Sequence, residues 1–385
     1  MSVLKQFERT AKVFLYEGLF RRLFRNEPVS LPLDPNSIKR VLLIRRDMIG
    51  DMIIASSGIR YLNELLPDAK IDIFCAPKGK VILEHNPRVE KIYTASLTNA
   101  FNTYRTALQA SKTQYDLILA LTFKRTTQDG FWANIISRTA IKAAIEIPKS
   151  AEQHRQLFNA LVDIGHTTGE KPTPLYQNLH RFIAALFGAK PDERRIVQEI
   201  FISAAEKAVA ENFLTERQQG LFIVFNISAR LKEKEWHRDH NLKFLQRLTL
   251  SHPELAVLVS ADPDKIDAAK ALVAAVASPK VNFISPMPLR SLAHLISKAV
   301  MLVSPDTALV HVAATFNVAS VMMCTGKHSG EEFEPQGEHL AVWAKDAASV
   351  DTISPEQVFD AFEEMLARIA QRQTGVRQNA FTEPA

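Results

Sequence analysis

Three segments of the sequence combine charged and hydroxyl-bearing residues at positions where an α/β protein binds its ligands. They span residues 45–53, 226–236 and 304–314, and each follows an apolar run typical of a buried strand and precedes a helical pattern. In open α/β sheets, ligands bind at the carboxyl ends of the strands. The three segments are therefore where we expect the chemistry of this protein.

The first segment offers a catalytic carboxylate, Asp51, directly after Gly50. A carboxylate at the end of a strand could act as a general base that takes a proton from a hydroxyl group. An aspartate in the first turn of a helix is also a common stabilising cap, because it accepts hydrogen bonds from free N–H groups. Both interpretations of Asp51 stay open at this point.

The second segment offers phosphate-binding groups. Ser228 and Lys234 stand in a loop that follows the strand pattern at 221–225. Backbone amides and a lysine in such a loop could hold a phosphate. A solvated charged loop has the same composition and, for this segment taken alone, is the favoured alternative.

The third segment opens a helix with Asp306 and Thr307, followed by Ala308. The free N–H groups and partial positive charge of a helix N-terminus attract an anion. His311 lies about one turn inside the same helix. The plainer alternative is an ordinary N-cap followed by a buried helical histidine.

Several better-known sites are disfavoured. The glycine patterns of dinucleotide-binding, P-loop and nucleophile-elbow proteins do not occur in the chain. Two cysteines, Cys75 and Cys324, cannot build a disulfide framework or a four-thiolate zinc site. Because both stand in apolar runs, we expect buried, unreactive thiols in a protein of a reducing compartment.

No metal site is predicted. His237 and His240 are three residues apart but have no third ligand nearby in sequence. Asp262 and Asp264 could form a carboxylate pair that holds a metal beside a nucleotide sugar. A solvated loop that caps the next helix is the favoured interpretation of that pair.

The elements that must position these residues alternate between strands and helices, starting at residue 39 and again at residue 221. Such alternation predicts parallel sheets with helices on both faces, and hence two Rossmann-like, doubly wound α/β domains that face a cleft. We predict domain boundaries at 1–35, 36–190, 191–353 and 354–385, with a loop region at 148–178, a linker at 189–195 and a disordered tail at 373–385. The predicted strands are 39–45, 70–75, one near 91–93, 115–121, 221–225, 255–259, 280–284, 299–304 and 318–324, and the principal helices are 50–66, 101–112, 176–187, 238–251, 263–276, 289–298, 306–317 and 354–372.

Charge is concentrated at the amino end. The chain has 385 residues and a net charge of 47 − 42 = +5. Residues 1–25 hold six cations and two glutamates, which gives 6 − 2 = +4 of that excess. Basic charge is therefore not spread over a folded face, and nucleic-acid binding is disfavoured. No apolar run approaches the roughly 18 residues of a membrane-spanning helix.

Residues 2–25 have the pattern of a basic amphipathic helix, with Phe7, Phe14, Phe20 and Phe24 among its apolar residues. A helix of this kind can lie in an anionic membrane surface. A helix packed on its own protein is an equally good interpretation, since a phenylalanine-rich stripe also suits a core.

Taken together, the motifs resemble those of the family 9 glycosyltransferases, the ADP-heptose:lipopolysaccharide heptosyltransferases. The resemblance covers roughly residues 39–345, and it rests on the order and spacing of the motifs rather than on any single one. Two departures are Ala308 and the segment 226–229, where the family usually has glycine. The motifs are the strand Val41–Arg45, Gly50-Asp51, Pro67-Asp68-Ala69, Asn86-Pro87-Arg88-Val89, Lys234-Glu235-Trp236 and Asp306–Ala314.

The resemblance implies an inverting, metal-independent glycosyltransferase of GT-B type that needs no cofactor. Its co-substrate would be a nucleotide-diphosphate sugar, ADP-heptose by default, held by the carboxyl-terminal half. The acceptor would be the inner core of a lipopolysaccharide or another glycolipid, bound by the amino-terminal half. The protein would be cytoplasmic and peripheral on the inner face of the cell membrane.

Roles for the candidate residues follow from this implied reaction. Asp51 would be the general base, and Lys234 would neutralise the leaving diphosphate. Thr307 and the neighbouring helix amides would bind the diphosphate, and Asp306 would contact hydrogen-bonding groups of the sugar or the diphosphate. The remaining residues of the expected donor site are Ala308, Ser228 and His311, of which His311 is expected to act through its neighbours.

Two other functions stay open. One is a transferase of the same fold that uses a different nucleotide sugar for another surface glycan, which the replaced glycines support. The other is a non-catalytic homologue that binds a glycan or nucleotide. An NAD-dependent oxidoreductase is disfavoured because the glycine fingerprint does not occur.

Overall fold

The computed structural model of the chain describes two compact units that divide between Glu199 and Ile200, with residues 172–174 grouped with the second unit. The described residues are 23–24, 26–122, 126–147, 154–165, 172–192, 196–217, 220–326, 332–345 and 348–379, with side chains through Arg372.

The first unit is built on a sheet of six parallel strands in the order β3-β2-β1-β4-β5-β6. Strand order therefore reverses between β1 and β4, which leaves a crevice at the carboxyl ends of these two strands. The strands are β1 Arg40–Arg45, β2 Lys70–Cys75, β3 Val89–Thr94, β4 Leu117–Ala120, β5 Ile141–Ile145 and β6 Ala160–Val162.

Helices cover this sheet and pack closely on one another. A Cβ atom on Gly58 would lie 2.6 Å from Cδ2 of Leu179, so glycine at this position lets α1 approach α5. Gly188, at φ +63°, ends α5 where the sequence predicts the end of a helix. The helices are α1 Ile49–Leu65, α2 Pro77–Leu83, α3 Ala100–Ala110, α4 Thr126–Ile136 and α5 Leu175–Leu186.

The second unit repeats the topology of the first. Its six parallel strands are ordered β12-β11-β10-β7-β8-β9, so order reverses between β7 and β10. Its elements are α6 Ala204–Glu216, β7 Phe222–Asn226, α7 Arg238–Ser251, β8 Ala256–Ser260, α8 Ile266–Val276, β9 Val281–Phe283, α9 Leu289–Ile296, β10 Met301–Pro305, α10 Ala308–Thr315, β11 Ala319–Cys324, β12 His339–Trp343 and α11 Pro355–Asn379.

Both cores lie on the central strands. Residues Val41–Ile44 of β1 and Phe222–Phe225 of β7 are at most 3% exposed. A strand buried on both faces reads as a continuous apolar run, which is why the sequence predicts these strands well. The two Rossmann-like α/β folds predicted from the alternation are confirmed.

The differences from the predicted elements lie where the sequence pattern is short or mixed. β6 falls inside residues 148–178, which were predicted to be a loop region. The helix predicted at 263–276 opens with a 3-10 turn, Pro263–Lys265, before α8. α11 runs to Asn379, so the tail predicted from residue 373 is wrong as far as that residue.

The predicted amino-terminal helix, residues 2–25, lies outside the described residues except for Leu23 and Phe24. Phe24 is buried in the first unit, with its ring 5.9 Å from that of Phe131 in an edge-on contact. Asn26 donates from Nδ2 to Oδ1 of Asn134 at 2.9 Å. Phe24 therefore belongs to the protein core, and its assignment to a membrane-facing stripe is wrong.

Candidate functional site

The crevice of the first unit is organised by a buried arginine at the end of β1. Arg45 Nη2 lies 3.0 Å from Oδ1 of Asp51, and Nε lies 3.3 Å from Oδ2 of Asp47. The same guanidinium donates to the backbone carbonyl of Leu121, just beyond β4. Arg45 thus ties the loop after β1 to the end of the neighbouring strand, across the reversal of strand order.

Asp51 stands in the first turn of α1 and caps it. The backbone N–H of Met48 donates to Oδ2 of Asp51 at 3.2 Å, and Arg45 binds the other carboxylate oxygen. The side chain of Asp51 is still 21% exposed. The capping role is therefore present, and the carboxylate also remains open to a hydroxyl group from solvent or substrate.

A cleft of about 300 Å³ lies at the carboxyl edge of the same sheet. Its lining comes from the segments that follow β1, β3 and β4, and it includes Arg46, Thr98, Gln128 and Trp132. An aromatic face beside hydroxyl, amide and guanidinium groups can bind a sugar ring and its polar substituents. Sequence analysis missed this cleft, because α4, which supplies Trp132, was not predicted.

Arg46 is the charged group of the cleft and is held from several sides. Its guanidinium carbon is 5.8 Å from the centre of the Trp132 ring, and Nη2 donates to the carbonyl of Ser96 at 3.2 Å. Nη1 is 3.8 Å from Oδ1 of Asp129. Burial raises the pKa of Asp129 to about 7, although the hydrogen bond from Thr122 and the positive charge of Arg46 favour the ionised carboxylate and oppose this rise.

In the second unit, the crevice between β7 and β10 brings together the other two candidate segments. Asn226, the last residue of β7, donates from Nδ2 to Oγ of Ser304 and to the carbonyl of Ser228, each at 3.0 Å. The same Nδ2 is 3.4 Å from Oγ1 of Thr307. One amide therefore connects the loop after β7 to the start of α10.

Thr307 is the N-cap of α10, and its Oγ1 accepts from the backbone N–H of Leu309 at 3.3 Å. Ala308 is the first residue of this helix. The ordinary cap considered from the sequence is therefore present, and it fixes the helix N-terminus, with its partial positive charge, at the carboxyl edge of the sheet.

Lys234 and Asp306 form an ion pair within this crevice. Lys234 Nζ lies 2.5 Å from Oδ2 of Asp306, and the two side chains are 24% and 13% exposed. Trp236 anchors the lysine loop because its indole N–H donates to the carbonyl of Ile353 at 2.8 Å. The structure thus joins two predicted donor-site residues that lie 72 positions apart in sequence.

Ser228 and His311 are buried rather than presented at the surface. Ser228 is 2% exposed, and its Oγ accepts from the backbone N–H of Asp262 at 2.9 Å. It therefore fastens the loop after β8 to the loop after β7. His311 is 4% exposed, on the inner side of α10.

The remaining candidates occupy capping, turn and core positions. Within the described ranges, no group of three or more histidine, cysteine or acidic residues could hold a metal ion. His237 is the N-cap of α7, and Asp262 precedes the turn at Pro263–Lys265. Cys75 and Cys324 are buried as predicted, and burial raises the pKa of both thiols, that of Cys75 to about 12.

Comparison with known proteins supports the fold and the resemblance. The family model described as glycosyltransferase family 9 (heptosyltransferase) matches residues 176–351. A family 9 glycosyltransferase from Veillonella parvula is similar at TM-score 0.72 and 17% identity, over 88% of this chain and 100% of that one. No curated protein matches at the level of sequence.

Two heptosyltransferase structures from E. coli are also similar. WaaC with ADP aligns at TM-score 0.67 and 16% identity, over 85% of this chain and 99% of that one. ADP-heptose lps heptosyltransferase II aligns at TM-score 0.65 and 18% identity, over 86% of this chain and 99% of that one. At identities this low, the structural similarity shows that the fold is shared and nothing finer.

The fold and the family match together define the class of protein: the chain is a glycosyltransferase with the GT-B fold of two Rossmann-like units. Within that class, residues 176–351 match the model of glycosyltransferase family 9 (heptosyltransferase), which confirms the resemblance over that segment of the chain. In the part of the chain that the structure describes, no helix is both long enough and apolar enough to span a bilayer.

Proposed function

We propose that this glycosyltransferase moves a heptose or a related sugar from an ADP-sugar to the inner core of a lipopolysaccharide, with inversion at the anomeric carbon and without a bound metal. The proposal rests on the contacts of the loop 226–234 with Asp306 and Thr307, which lie inside the segment that matches the family model. ADP in the similar E. coli WaaC structure supports the choice of nucleotide.

The donor would be held by charge and by the N-terminus of α10. Lys234 would exchange the Asp306 carboxylate for the diphosphate, where a charge-assisted hydrogen bond stabilises the negative charge. The backbone N–H groups of Thr307 and Ala308 would add the partial positive charge of the helix N-terminus. Asp306, released from the lysine, would be available to donor hydroxyl groups. Ser228 and His311 would hold these loops in place from the buried side.

The acceptor would bind in the cleft of the first unit. A sugar ring would pack against Trp132, with its hydroxyl groups bonded to Thr98 and Gln128. Arg46, the charged group in the lining of the cleft, would bind an anionic substituent on the sugar through a charge-assisted hydrogen bond.

The reaction would use one proton acceptor and one charge stabiliser. Asp51 takes the proton of the acceptor hydroxyl as its oxygen attacks the anomeric carbon of the donor. The bond from that carbon to the diphosphate oxygen breaks, and the nucleoside diphosphate leaves with the electron pair. Lys234 stabilises the charge that develops on this leaving group.

A panel of nucleotide sugars tests the donor assignment. Isothermal titration calorimetry with ADP-, UDP- and GDP-sugars is expected to show the tightest binding for the ADP-sugar, and mass spectrometry of a soluble core oligosaccharide is expected to show one added heptose. The Asp51→Asn variant serves as the matched control, because it should bind donor normally and give little product. Tightest binding of a UDP- or GDP-sugar would contradict the assignment.

A second candidate is a transferase of the same fold with a different donor. Ala308 stands at the first position of α10, and its methyl group narrows the space in which a diphosphate can approach the helix. The same calorimetric panel decides between the two donors. A non-catalytic homologue would bind a nucleotide and give no product with any acceptor.

The proposed location is the inner face of the cell membrane, reached through the basic residues before Leu23. Because Phe24 and Asn26 pack in the first unit, a deletion that tests this should stop at residue 22. We expect the shortened chain to bind anionic liposomes more weakly than the full chain in cosedimentation at low salt and to keep its melting temperature. Unchanged binding with a lower melting temperature would instead mean that the segment packs on the protein.

A further inference from the structure

The large apolar residues of helix α3 (Ala100–Ala110) are on its solvent-exposed side, whereas a helix that only packs on a sheet has them on its buried side. The residues facing the core are small, Thr103, Thr106, Ala107 and Ala110. On the opposite side, Phe101 is 71% exposed, Tyr104 45% and Leu108 43%. We call Phe101, Tyr104 and Leu108 the outer face of α3.

The outer face is a continuous stripe rather than scattered exposure. Residues at spacings of three, four and seven lie on one side of a helix, and Phe101, Tyr104 and Leu108 have this spacing. Leu97, 36% exposed, extends the stripe into the loop before α3. Single exposed apolar residues need no explanation, but a contiguous apolar stripe marks an interaction surface.

The charges around the outer face favour an anionic occupant. Arg105 is exposed on the same side of α3 as Tyr104 and Leu108, Lys112 is exposed in the turn that follows the helix, and Lys91 is exposed on β3. No aspartate or glutamate occurs from Lys91 to Tyr115. Aromatic and leucine side chains beside cations are the composition of a segment that lies in a lipid interface.

The outer face also lies beside the proposed acceptor cleft. Ala100 and Thr103 of α3, with Leu97, line the cleft that holds Arg46 and Trp132. A sugar bound there, if it is joined to a lipid, would have its hydrocarbon part close to α3.

We propose that the outer face of α3 is a membrane-docking surface that inserts shallowly into an anionic lipid leaflet. The reason for docking rests on the proposed function, which supplies a lipid-linked acceptor, but lipid binding itself is measured without any transfer. Residues 97–108, which form this surface, differ from residues 2–22 in the sequence, and docking through them would present the cleft of the first unit to the lipid.

The test is cosedimentation of the full chain with phosphatidylcholine vesicles that contain phosphatidylglycerol. The triple variant Phe101→Ser, Tyr104→Ser, Leu108→Ser is expected to bind roughly ten- to a hundredfold more weakly, because three large apolar side chains no longer enter the lipid. The matched control is Val209→Ser, Leu221→Ser, Leu250→Ser, which removes apolar residues that are 43%, 64% and 83% exposed in the second unit. Equal binding by the two triple variants would overturn the proposal.

A fluorescent probe gives a second readout that does not depend on affinity. The native thiols Cys75 and Cys324 are buried, so Tyr104→Cys can be labelled selectively with an environment-sensitive dye. Its emission is expected to shift to the blue when the vesicles are added, and a label at Leu250→Cys is expected not to shift. Two results would overturn the proposal. One is a Tyr104 label whose emission does not shift when vesicles are added. The other is a label whose emission is already blue-shifted in buffer, because another protein segment or a second copy then covers the outer face.

Transfer to a soluble, lipid-free acceptor separates this proposal from the proposed function. The Phe101, Tyr104, Leu108 variant should keep wild-type transfer to that acceptor while its vesicle binding weakens. Vesicle binding through α3 with no transfer by the wild-type chain would refute the proposed function alone. Transfer with vesicle binding independent of α3 would refute the docking surface alone.

Discussion

Removal of the positive charge of Lys234, in the crevice between β7 and β10, is expected to weaken binding of a nucleoside diphosphate far more than binding of the nucleoside. In the free protein, Lys234 is bound to Asp306 at 2.5 Å. If the lysine transfers to the diphosphate when the donor binds, Lys234→Met loses one charge-assisted hydrogen bond, which contributes about 1.5–3 kcal/mol. This corresponds to a roughly ten- to 150-fold higher Kd for ADP, with Kd for adenosine unchanged.

Asp306→Asn provides the second arm of the same experiment. The variant removes the carboxylate that competes with phosphate for Lys234, so its Kd for ADP is expected to stay within about threefold of wild type, well below the loss in Lys234→Met. Lys232→Met is the matched control, because it removes an exposed positive charge from the same 3-10 turn, Lys232–Lys234.

Calorimetric titration of ADP and adenosine into the four proteins measures these differences directly. Equal losses for ADP and adenosine in Lys234→Met would place the lysine outside the phosphate site. A loss in Asp306→Asn as large as that in Lys234→Met would mean that the ion pair only shapes the loop, and the exchange of partners would be refuted.

Three further outcomes are expected. Asp51→Asn should lower kcat by about 10²–10⁴ in a transfer assay while donor affinity is kept, and near-normal kcat would reduce Asp51 to a helix cap. Burial raises the pKa of Asp129 to about 7, above its ordinary value of 3.8, so the folded chain holds a proton that the unfolded chain releases. Stability should therefore fall as pH rises from about 4 to about 7, by at most about 4 kcal/mol, and Asp129→Asn should remove that loss in urea unfolding. At each pH, the free energy of unfolding of the variant is compared with that of the wild type, because His180 also makes stability depend on pH. Burial lowers the pKa of His180 to about 4, so this residue makes stability rise with pH up to its ordinary pKa of 6.5. Lys142 is fully buried, and burial lowers its pKa to about 8. Because a buried charge is costly, Lys142→Met should raise the free energy of unfolding at pH 7 by about 1–3 kcal/mol. A lower free energy of unfolding in the variant would show that the buried ammonium stabilises β5.

The sequence by itself determined the alternating fold and the three segments at the strand ends. β1 and β7 hold continuous apolar runs, Val41–Ile44 and Phe222–Phe225, and α7 is found at its predicted bounds, Arg238–Ser251. Such patterns are local, because a strand buried on both faces must be apolar throughout. β5, which Lys142 interrupts, β6, of three residues, and β12, an edge strand that is mostly half-buried, lack that pattern and were missed.

Only the tertiary structure decided which groups meet. Lys234 and Asp306, 72 residues apart, become partners because β10 lies beside β7 in the sheet. Ser228 faces inward to the loop after β8, and Arg46 meets Trp132 across a cleft that no local pattern indicates. Periodicity along the chain reports which side of an element is buried, whereas ion pairs and clefts depend on the order in which strands lie side by side.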